Sequence, residues 1–342
     1  MGQAIGKGIE TYGSDQRGLV YAYVLARAEP AREVDAEAAL PWLQQQAADE
    51  DERFLWLHFS TANAASEPWM RQHLALPDEF LDSLQSPVSS TRIEQAGHAL
   101  VAILHDVVYD SGYEESSVSS VSLCVERHLL VSARRAPLRA IDRLRSSVKS
   151  GETFASSVDL FAHLLRDQAD VLVDIVRRAT DRVNAIEDRL LAWRAISSRA
   201  ELGALRRMLV RLQRLLAPEP AVLFRLLNKP PPWIAESDVQ ELRESSEELA
   251  AAAADAAALA ERVKLLQEEV AAHVTEQTSR ILFLLTVVTV LALPFNVVGA
   301  LFGMNVGGIP WSQHPAGFWA IVAIVSVFTA LVGAIVWRGR PR

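Results

Sequence analysis

Small polar side chains recur at a helical spacing within an uncharged stretch near the end of the chain. Counting back by sevens from Asn296 gives Thr289 and Leu282, and Leu293 and Leu285 fall on the same face. Polar residues at membrane depth usually face a bundle interior or a water-filled path, so this stripe predicts the lining of a pore. The leucines would form constrictions that close the path by dewetting. The alternative is that Asn296 only joins helices through hydrogen bonds.

The same stripe meets two acidic residues when it is continued toward the N-terminus. Further steps of seven give Thr275, Glu268 and Glu261. Two interpretations are open: acidic rings that collect metal cations in a vestibule, or a solvated acidic face. The drift of about 20° per heptad in a straight helix blurs the stripe over several turns and favours the solvated face.

In the other direction the stripe leads to the tripeptide Gly303-Met304-Asn305. Gly303 suits a helix C-terminal cap, because glycine adopts a positive φ without a Cβ clash. The last helical carbonyls carry partial negative charge, and in a ring of copies Asn305 would add carboxamide oxygens. Such neutral dipoles hold a hydrated cation without binding it too tightly for passage. Met304 is a soft potential ligand, although a methionine beside a glycine more often packs structurally.

These residues lie in a region long enough to cross a membrane twice. Residues 281–337 contain no Asp, Glu, Lys or Arg, and about 20 apolar residues span a bilayer. We therefore predict transmembrane helices at 281–302 and 316–337, joined by a loop at 303–315 that is rich in Gly and Pro. A hairpin buried in a soluble core is the alternative. His314 is the only ionisable group between the spans. It is either an ordinary loop residue or, in an oligomer, one of a ring of histidines that bind zinc transiently.

The basic residues around the spans predict their orientation. Arg280 precedes the first span, three arginines follow the second, and the loop between the spans has no Lys or Arg. Positive charge near membrane helices stays on the cytoplasmic side. We therefore predict a protein of the cell inner (plasma) membrane with both termini in the cytoplasm, including a basic tail at 338–342. The three arginines that follow the second span are Arg338, Arg340 and Arg342.

The net charge, the single cysteine and the motifs that the sequence lacks argue against nucleic-acid binding, Cys-rich zinc modules and catalysis. The net charge of −8 at pH 7 argues against a nucleic-acid partner. Cys124 is the only cysteine, which excludes an intrachain disulfide and Cys-rich zinc modules. No glycine-rich phosphate loop, His-Glu-x-x-His or Cys-x-x-Cys motif occurs. The sequence therefore predicts neither an enzyme nor a bound cofactor.

The residues before the spans predict a large cytosolic part in three sections. Residues 1–150 mix strand-like runs with short helical stretches, which indicates an α/β domain. Residues 151–235 have helical periodicity, and 236–280 form a stalk that continues as one helix over 236–302, because no proline occurs before Pro294. A helix of that length needs other helices to pack against it, and symmetric copies of the same chain can provide them. The strand-like runs are 19–25, 53–59, 98–109 and 118–131, and the short helical stretches are 67–76 and 78–84.

The tripeptide Gly303-Met304-Asn305, after one long helix and before a second span, resembles the signature of the CorA superfamily of metal-ion transporters. The resemblance implies an α+β fold, with a cytosolic α/β domain, a helical stalk and two C-terminal transmembrane helices assembled as a pentameric funnel in the lipid bilayer. The continuation Val306-Gly307-Gly308-Ile309-Pro310 is similar to the ZntB-like branch, which implies transport of Zn²⁺ coupled to protons. The spans contain no carboxylate that could relay those protons.

Three hypotheses for the function therefore follow from the sequence. The first is a ZntB-like zinc transporter. The second is a CorA-like magnesium channel, which uses the same scaffold but more often has an acidic residue in the loop between the spans. The third, of another class, is a membrane-tethered oligomeric scaffold or sensor with the long helix as its stalk. That third function gives no role to Asn296, Thr289 or Asn305.

Overall fold

The computed structural model describes residues 13–45, 53–85, 90–108, 118–191, 198–304 and 314–338. The chain divides into two compact units, Met1–Gln267 and Glu268–Arg342.

Among the described residues, a seven-stranded sheet forms the centre of the first unit. Its strands are β1 (Leu19–Ala26), β2 (Glu29–Val34), β3 (Phe54–Ser60), β4 (Arg92–Ala96), β5 (Ala99–Val107), β6 (Val118–Glu126) and β7 (Leu129–Arg134). Their spatial order is β2-β1-β3-β7-β6-β5-β4. Neighbouring strands run antiparallel except β3 and β7, which are parallel, with Leu57 beside Val131.

Helices cover both faces of this sheet. The helices in the described part of the first unit are α1 (Ala36–Gln45), α2 (Ser66–His73), α3 (Asp78–Gln85), α4 (Arg139–Lys149), α5 (Ser157–Leu191), α6 (Ser198–Leu216) and α7 (Pro218–Leu227). One core contains Ile141 of α4 and Phe161 of α5, and the other contains Met70 of α2 and Phe80 of α3. Because both faces are covered, β3, β5 and β7 are buried along their whole length and consist largely of apolar residues.

The sequence predicts the central elements of this unit better than its edges. Helix α3 begins at Asp78, directly after Pro77, as predicted. The predicted run 118–131 is divided, because a turn at residues 127–128 separates β6 from β7. Strands β2 and β4 fall outside the predicted runs. They lie at the two edges of the sheet, where exposed polar residues replace the apolar pattern.

A single helix, α8 (Glu236–Phe302), begins in the first unit and ends in the second. Its observed bounds confirm the predicted helix over 236–302. It continues through Pro294, which has no N–H to donate to the carbonyl oxygen of Val290.

The second unit contains the end of α8 and a further helix, α9 (Gly317–Arg338). Both helices are long and apolar enough to cross a membrane, and only 0% and 6% of their most apolar windows are buried. The core helix of a soluble protein would be mostly buried, so the alternative of a hairpin inside a soluble core is wrong. The α+β class with an N-terminal α/β part, a long helix and two C-terminal apolar helices is confirmed.

Candidate functional site

The predicted stripe lies on the side of helix α8 that faces away from helix α9. Within residues 281–302, the partly shielded side chains follow one another at three- and four-residue steps, as on a helix face that packs against a neighbour. One of them, Val298, lines a crevice together with Val325 of α9. Thr289 and Asn296 lie roughly half a turn away from this shielded face, given 3.6 residues per turn. The shielded residues are Val287, Leu291, Pro294 and Val298.

Two threonine hydroxyls on this part of α8 already donate their protons within the helix. Thr289 Oγ1 donates to the carbonyl oxygen of Leu285 at 2.9 Å, and Thr286 Oγ1 donates to that of Leu282 at 2.8 Å. A hydroxyl has one proton and two lone pairs. Once the proton is used within the helix, only lone pairs remain for an outside partner. A surface of this kind can accept from water or contact a cation, but it has no proton to offer an anion.

The leucines of the stripe are exposed in the single chain. Leu282, Leu285 and Leu293 are 57%, 62% and 58% exposed. Exposure alone does not distinguish the stripe, because Ile281, on another side of the helix, is 66% exposed. The position opposite α9 is what sets the stripe apart.

Gly303 directly follows helix α8, although not with the predicted cap. Its N–H donates to the carbonyl oxygen of Gly299 at 2.9 Å, so an ordinary helical hydrogen bond closes the last turn. Its φ is not positive, and the prediction of a left-handed cap is wrong. Glycine is favoured for a different reason, since a Cβ at this position would lie 2.9 Å from the same carbonyl oxygen. Met304 follows and is 50% exposed, whereas Asn305 lies outside the described residues.

The acidic and histidine candidates do not form a preformed metal site. Glu261 Oε1 lies 2.8 Å from Lys264 Nζ, which offsets its charge, and Glu268 is exposed. His314 is also exposed, and its Nδ1 accepts the N–H of Ala316 at 3.3 Å. Within the described ranges, no group of three or more His, Cys, Asp or Glu side chains is arranged to hold a metal ion.

Two carboxylates that the sequence did not single out are buried in the first unit. Glu219 of α7 accepts the backbone N–H of His105 at 2.7 Å and the side-chain amide of Gln168 at 2.9 Å. Asp106, the next residue of β5, accepts the N–H of Ala140 at 2.7 Å, at the start of α4. Burial raises the pKa of both carboxyls, that of Asp106 to about 7. These acids tie three helices to one strand, which is a structural role.

A third carboxylate, Asp167, lines a charged groove of about 830 Å³ between α4 and α5. Its side chain lies 3.8 Å from Arg143 Nε and 3.9 Å from His163 Nε2. Burial raises the pKa of this carboxyl to about 6, against the opposing effects of His163 and Arg143. Asp167 therefore changes its charge close to physiological pH.

The sequence model of the family described as "CorA-like Mg2+ transporter protein" matches residues 51–338, which is most of the chain. The chain belongs to this CorA-like family. As a member with two apolar helices of spanning length, it is a divalent-cation transporter that works in a membrane, and the family's activity is transport rather than catalysis.

Curated relatives of this CorA-family chain match it over nearly its whole length. The divalent cation transporter CmaX of Pseudomonas aeruginosa is 29% identical, over 91% of this chain and 93% of that protein. The zinc transport protein ZntB of Pectobacterium atrosepticum is 25% identical, over 94% of each. The solved structure of full-length CmaX matches with a TM-score of 0.76 at 26% identity, over 94% of this chain and 99% of that one. The resemblance to the CorA superfamily and its ZntB-like members is thereby confirmed.

Proposed function

We propose that this CorA-family transporter carries Zn²⁺ across the inner membrane, along a path enclosed by the α8 helices of a homo-oligomer. The observation that carries the proposal is the Thr289 hydroxyl, whose proton goes to Leu285 and whose lone pairs remain for a cation. Asn296 lies one heptad further along the same face. Neutral oxygens of this kind can replace part of the hydration shell of an ion without holding it by a fixed charge.

In this proposal the ion meets polar and apolar rings in turn. At the outer mouth Asn305 presents carboxamide oxygens to the hydrated ion, and Gly303 and Met304 lie between this ring and the end of α8. Asn296 and Thr289 are the polar steps within the span. The exposed Glu268 draws cations toward the inner end through its charge, whereas Glu261 contributes less because Lys264 offsets its charge. Apolar constrictions between the polar steps are formed by Leu293, Leu285 and Leu282.

Zinc is proposed ahead of magnesium on two grounds. The ZntB relative, named a zinc transport protein, matches 94% of the chain. In addition, the loop between the spans has no acidic residue, and His314 is its only ionisable group. Tight zinc sites in proteins combine several Cys and His ligands. A path made of neutral oxygens can therefore pass zinc without trapping it.

Magnesium transport is the second candidate. The description of the matching family names Mg²⁺, and Mg²⁺ keeps its hydration water and prefers oxygen ligands. A path without nitrogen or sulfur ligands in the span suits that ion as well.

The proposal includes a pentamer with both termini in the cytoplasm, as the CorA resemblance and the arginines around the spans imply. It also includes coupling of zinc import to protons. Because residues 281–337 contain no Asp or Glu, protons would cross without a carboxylate relay in the spans.

Ion uptake into liposomes tests the proposal. The purified full-length chain is reconstituted into liposomes that contain a dye for zinc or for magnesium, and liposomes without protein give the leak rate. We expect zinc to enter faster than magnesium at equal external concentration, and an inward proton gradient to accelerate zinc entry. Faster entry of magnesium would favour the second candidate. Leak-level entry of both ions would contradict an ion path in this chain.

A further inference from the structure

A crevice between the two apolar helices opens beside the end of α8 and the start of α9, both within the second unit. Its volume is about 520 Å³, which lies within the range of small-ligand sites, roughly 300–1,000 Å³. Helix α8 contributes Phe295, Val298, Gly299 and Phe302 to its walls, and Val325 of α9, which is only 6% exposed, also lines it.

Gly299 keeps this crevice open. A Cβ built at Gly299 would meet no heavy atom of the described chain within 4 Å. A larger side chain therefore fits at this position and would occupy the crevice. Gly333 of α9 has the same free space around its Cβ position but does not line the crevice. The two glycines form a matched pair, in which the same substitution fills the crevice at one site only.

Among the described residues that line it, the crevice has apolar side chains along its length and one polar side chain at its end. That side chain is His314, which lines the crevice beside Pro315 and is exposed. Because His314 Nδ1 accepts the N–H of Ala316, the proton of the neutral imidazole belongs on Nε2. Nε2–H is then a donor for an oxygen outside the chain.

We infer that this crevice is a binding site for a phospholipid. One acyl chain lies against Phe295, Gly299 and Val325, and a phosphate oxygen accepts the hydrogen bond from His314 Nε2. Three features support this occupant: the crevice lies within helices that match the thickness of a bilayer, its walls are apolar, and the donor at its end is complementary to an anionic headgroup. Aromatic side chains at the same level, Phe318 and Trp319, are exposed as in the interfacial belt of membrane proteins.

Photolabelling of the full-length chain in liposomes tests the site. One probe is a phospholipid with a diazirine in its acyl chain, and the second is the matching diacylglycerol, which lacks the phosphate. Labelled peptides are mapped by mass spectrometry. We expect the phospholipid to label the crevice-lining peptides preferentially. Gly299→Leu should lose most of this label, whereas Gly333→Leu should keep it.

The headgroup contact is tested with His314→Ala. This variant should lose phospholipid label in the crevice but show unchanged labelling by diacylglycerol. Equal labelling of all lipid-facing positions, or label that persists in Gly299→Leu, would mean ordinary boundary lipid and would overturn the site.

The competing occupant is a helix from a second copy of the chain. In that case the crevice of the assembled wild-type protein would take no phospholipid label, which also overturns the proposal. If Gly299→Leu fails to assemble, the site is tested instead by the distribution of label on the wild-type protein and by the loss of phospholipid label in His314→Ala. None of these measurements depends on which ion is transported.

Discussion

Thr289 donates its hydroxyl proton to the carbonyl oxygen of Leu285, across 2.9 Å and one turn of helix α8. This bond turns a group that can donate or accept into one that presents only lone pairs to its surroundings. In the proposed path, this hydroxyl adds a polar step that offers no hydrogen-bond donor to an anion. Its position opposite the shielded face of α8 places the step where helix α9 does not cover it.

Replacing the hydroxyl of Thr289 should slow ion passage without unfolding the helix. In Thr289→Val the shape is kept and one neutral acceptor per copy is lost. A loss of about 1 kcal/mol corresponds to a roughly fivefold lower uptake rate. Thr289→Ser should retain uptake. The measurement is zinc or magnesium entry into proteoliposomes of equal protein content.

Thr329→Val is the control for that substitution. Thr329 lies on α9, and among the described residues its buried Oγ1 has no hydrogen-bond partner. Valine there should leave uptake unchanged and should not weaken the protein. Equal slowing by both valine variants would point to a general effect on the membrane helices rather than to a pore face.

Asn296 tests whether the stripe lines a path or joins helices. If its carboxamide faces the ion, Asn296→Leu should reduce uptake while the oligomer stays as stable as the wild type, because a polar step becomes an apolar constriction. If it joins helices, the oligomer should weaken by about 1 kcal/mol or less per hydrogen bond. Uptake and dissociation of the oligomer in detergent are measured on the same preparation, so the two roles give different pairs of results.

Asn305→Leu should abolish transport and leave assembly intact. The outer ring would lose the carboxamide oxygens that replace water around the entering ion. Uptake of zinc and magnesium is measured in proteoliposomes, and size-exclusion chromatography checks the oligomer. Wild-type uptake by this variant would remove the chemical argument for a selective ring at the outer mouth.

The long helix could be read from the sequence because its determinants are local. The absence of proline between Glu236 and Pro294 indicates the long helix α8, and the absence of charge between Arg280 and Arg338 indicates its apolar half. Gly303 shows the limit of such rules. A glycine after a helix usually indicates a positive φ, but here the backbone stays close to helical and the constraint is the approach of a carbonyl oxygen.

Contacts between distant segments could not be predicted from the sequence. Glu219 accepts the N–H of His105, which is 114 residues earlier in the chain. No spacing rule links these two positions, because the sheet and helix α7 bring them together only after folding. Strand β2 escaped prediction for another reason: Pro30 and exposed charged residues mask an edge strand that is held by its partner β1.

The orientation of the spans predicts which face of the membrane each loop meets. A cysteine at Ser312, in a Cys124→Ser background, should react with an impermeant thiol reagent added outside intact cells. A cysteine at Ser150, exposed after helix α4, should react only after the cells are permeabilised. The reverse labelling pattern would reverse the topology. The background substitution removes only a buried thiol whose pKa is raised by burial.

Asp167 should make the stability of the first unit depend on pH. Burial raises its pKa to about 6, whereas an unfolded aspartate titrates near 3.9, roughly two units lower. The folded state thus holds this proton more tightly, so the contribution of Asp167 is most favourable below about pH 4 and declines as the pH rises to about 6. Asp167→Asn should remove the decline and be more stable than the wild type at pH 7, with little difference at pH 4. Asp170→Asn is the control, because that side chain is 61% exposed and should change stability by less than about 0.5 kcal/mol. Urea unfolding of the detergent-solubilised full chain at both pH values gives the comparison. A less stable Asp167→Asn at pH 7 would mean that attraction to Arg143 and His163 outweighs the cost of burying the charge.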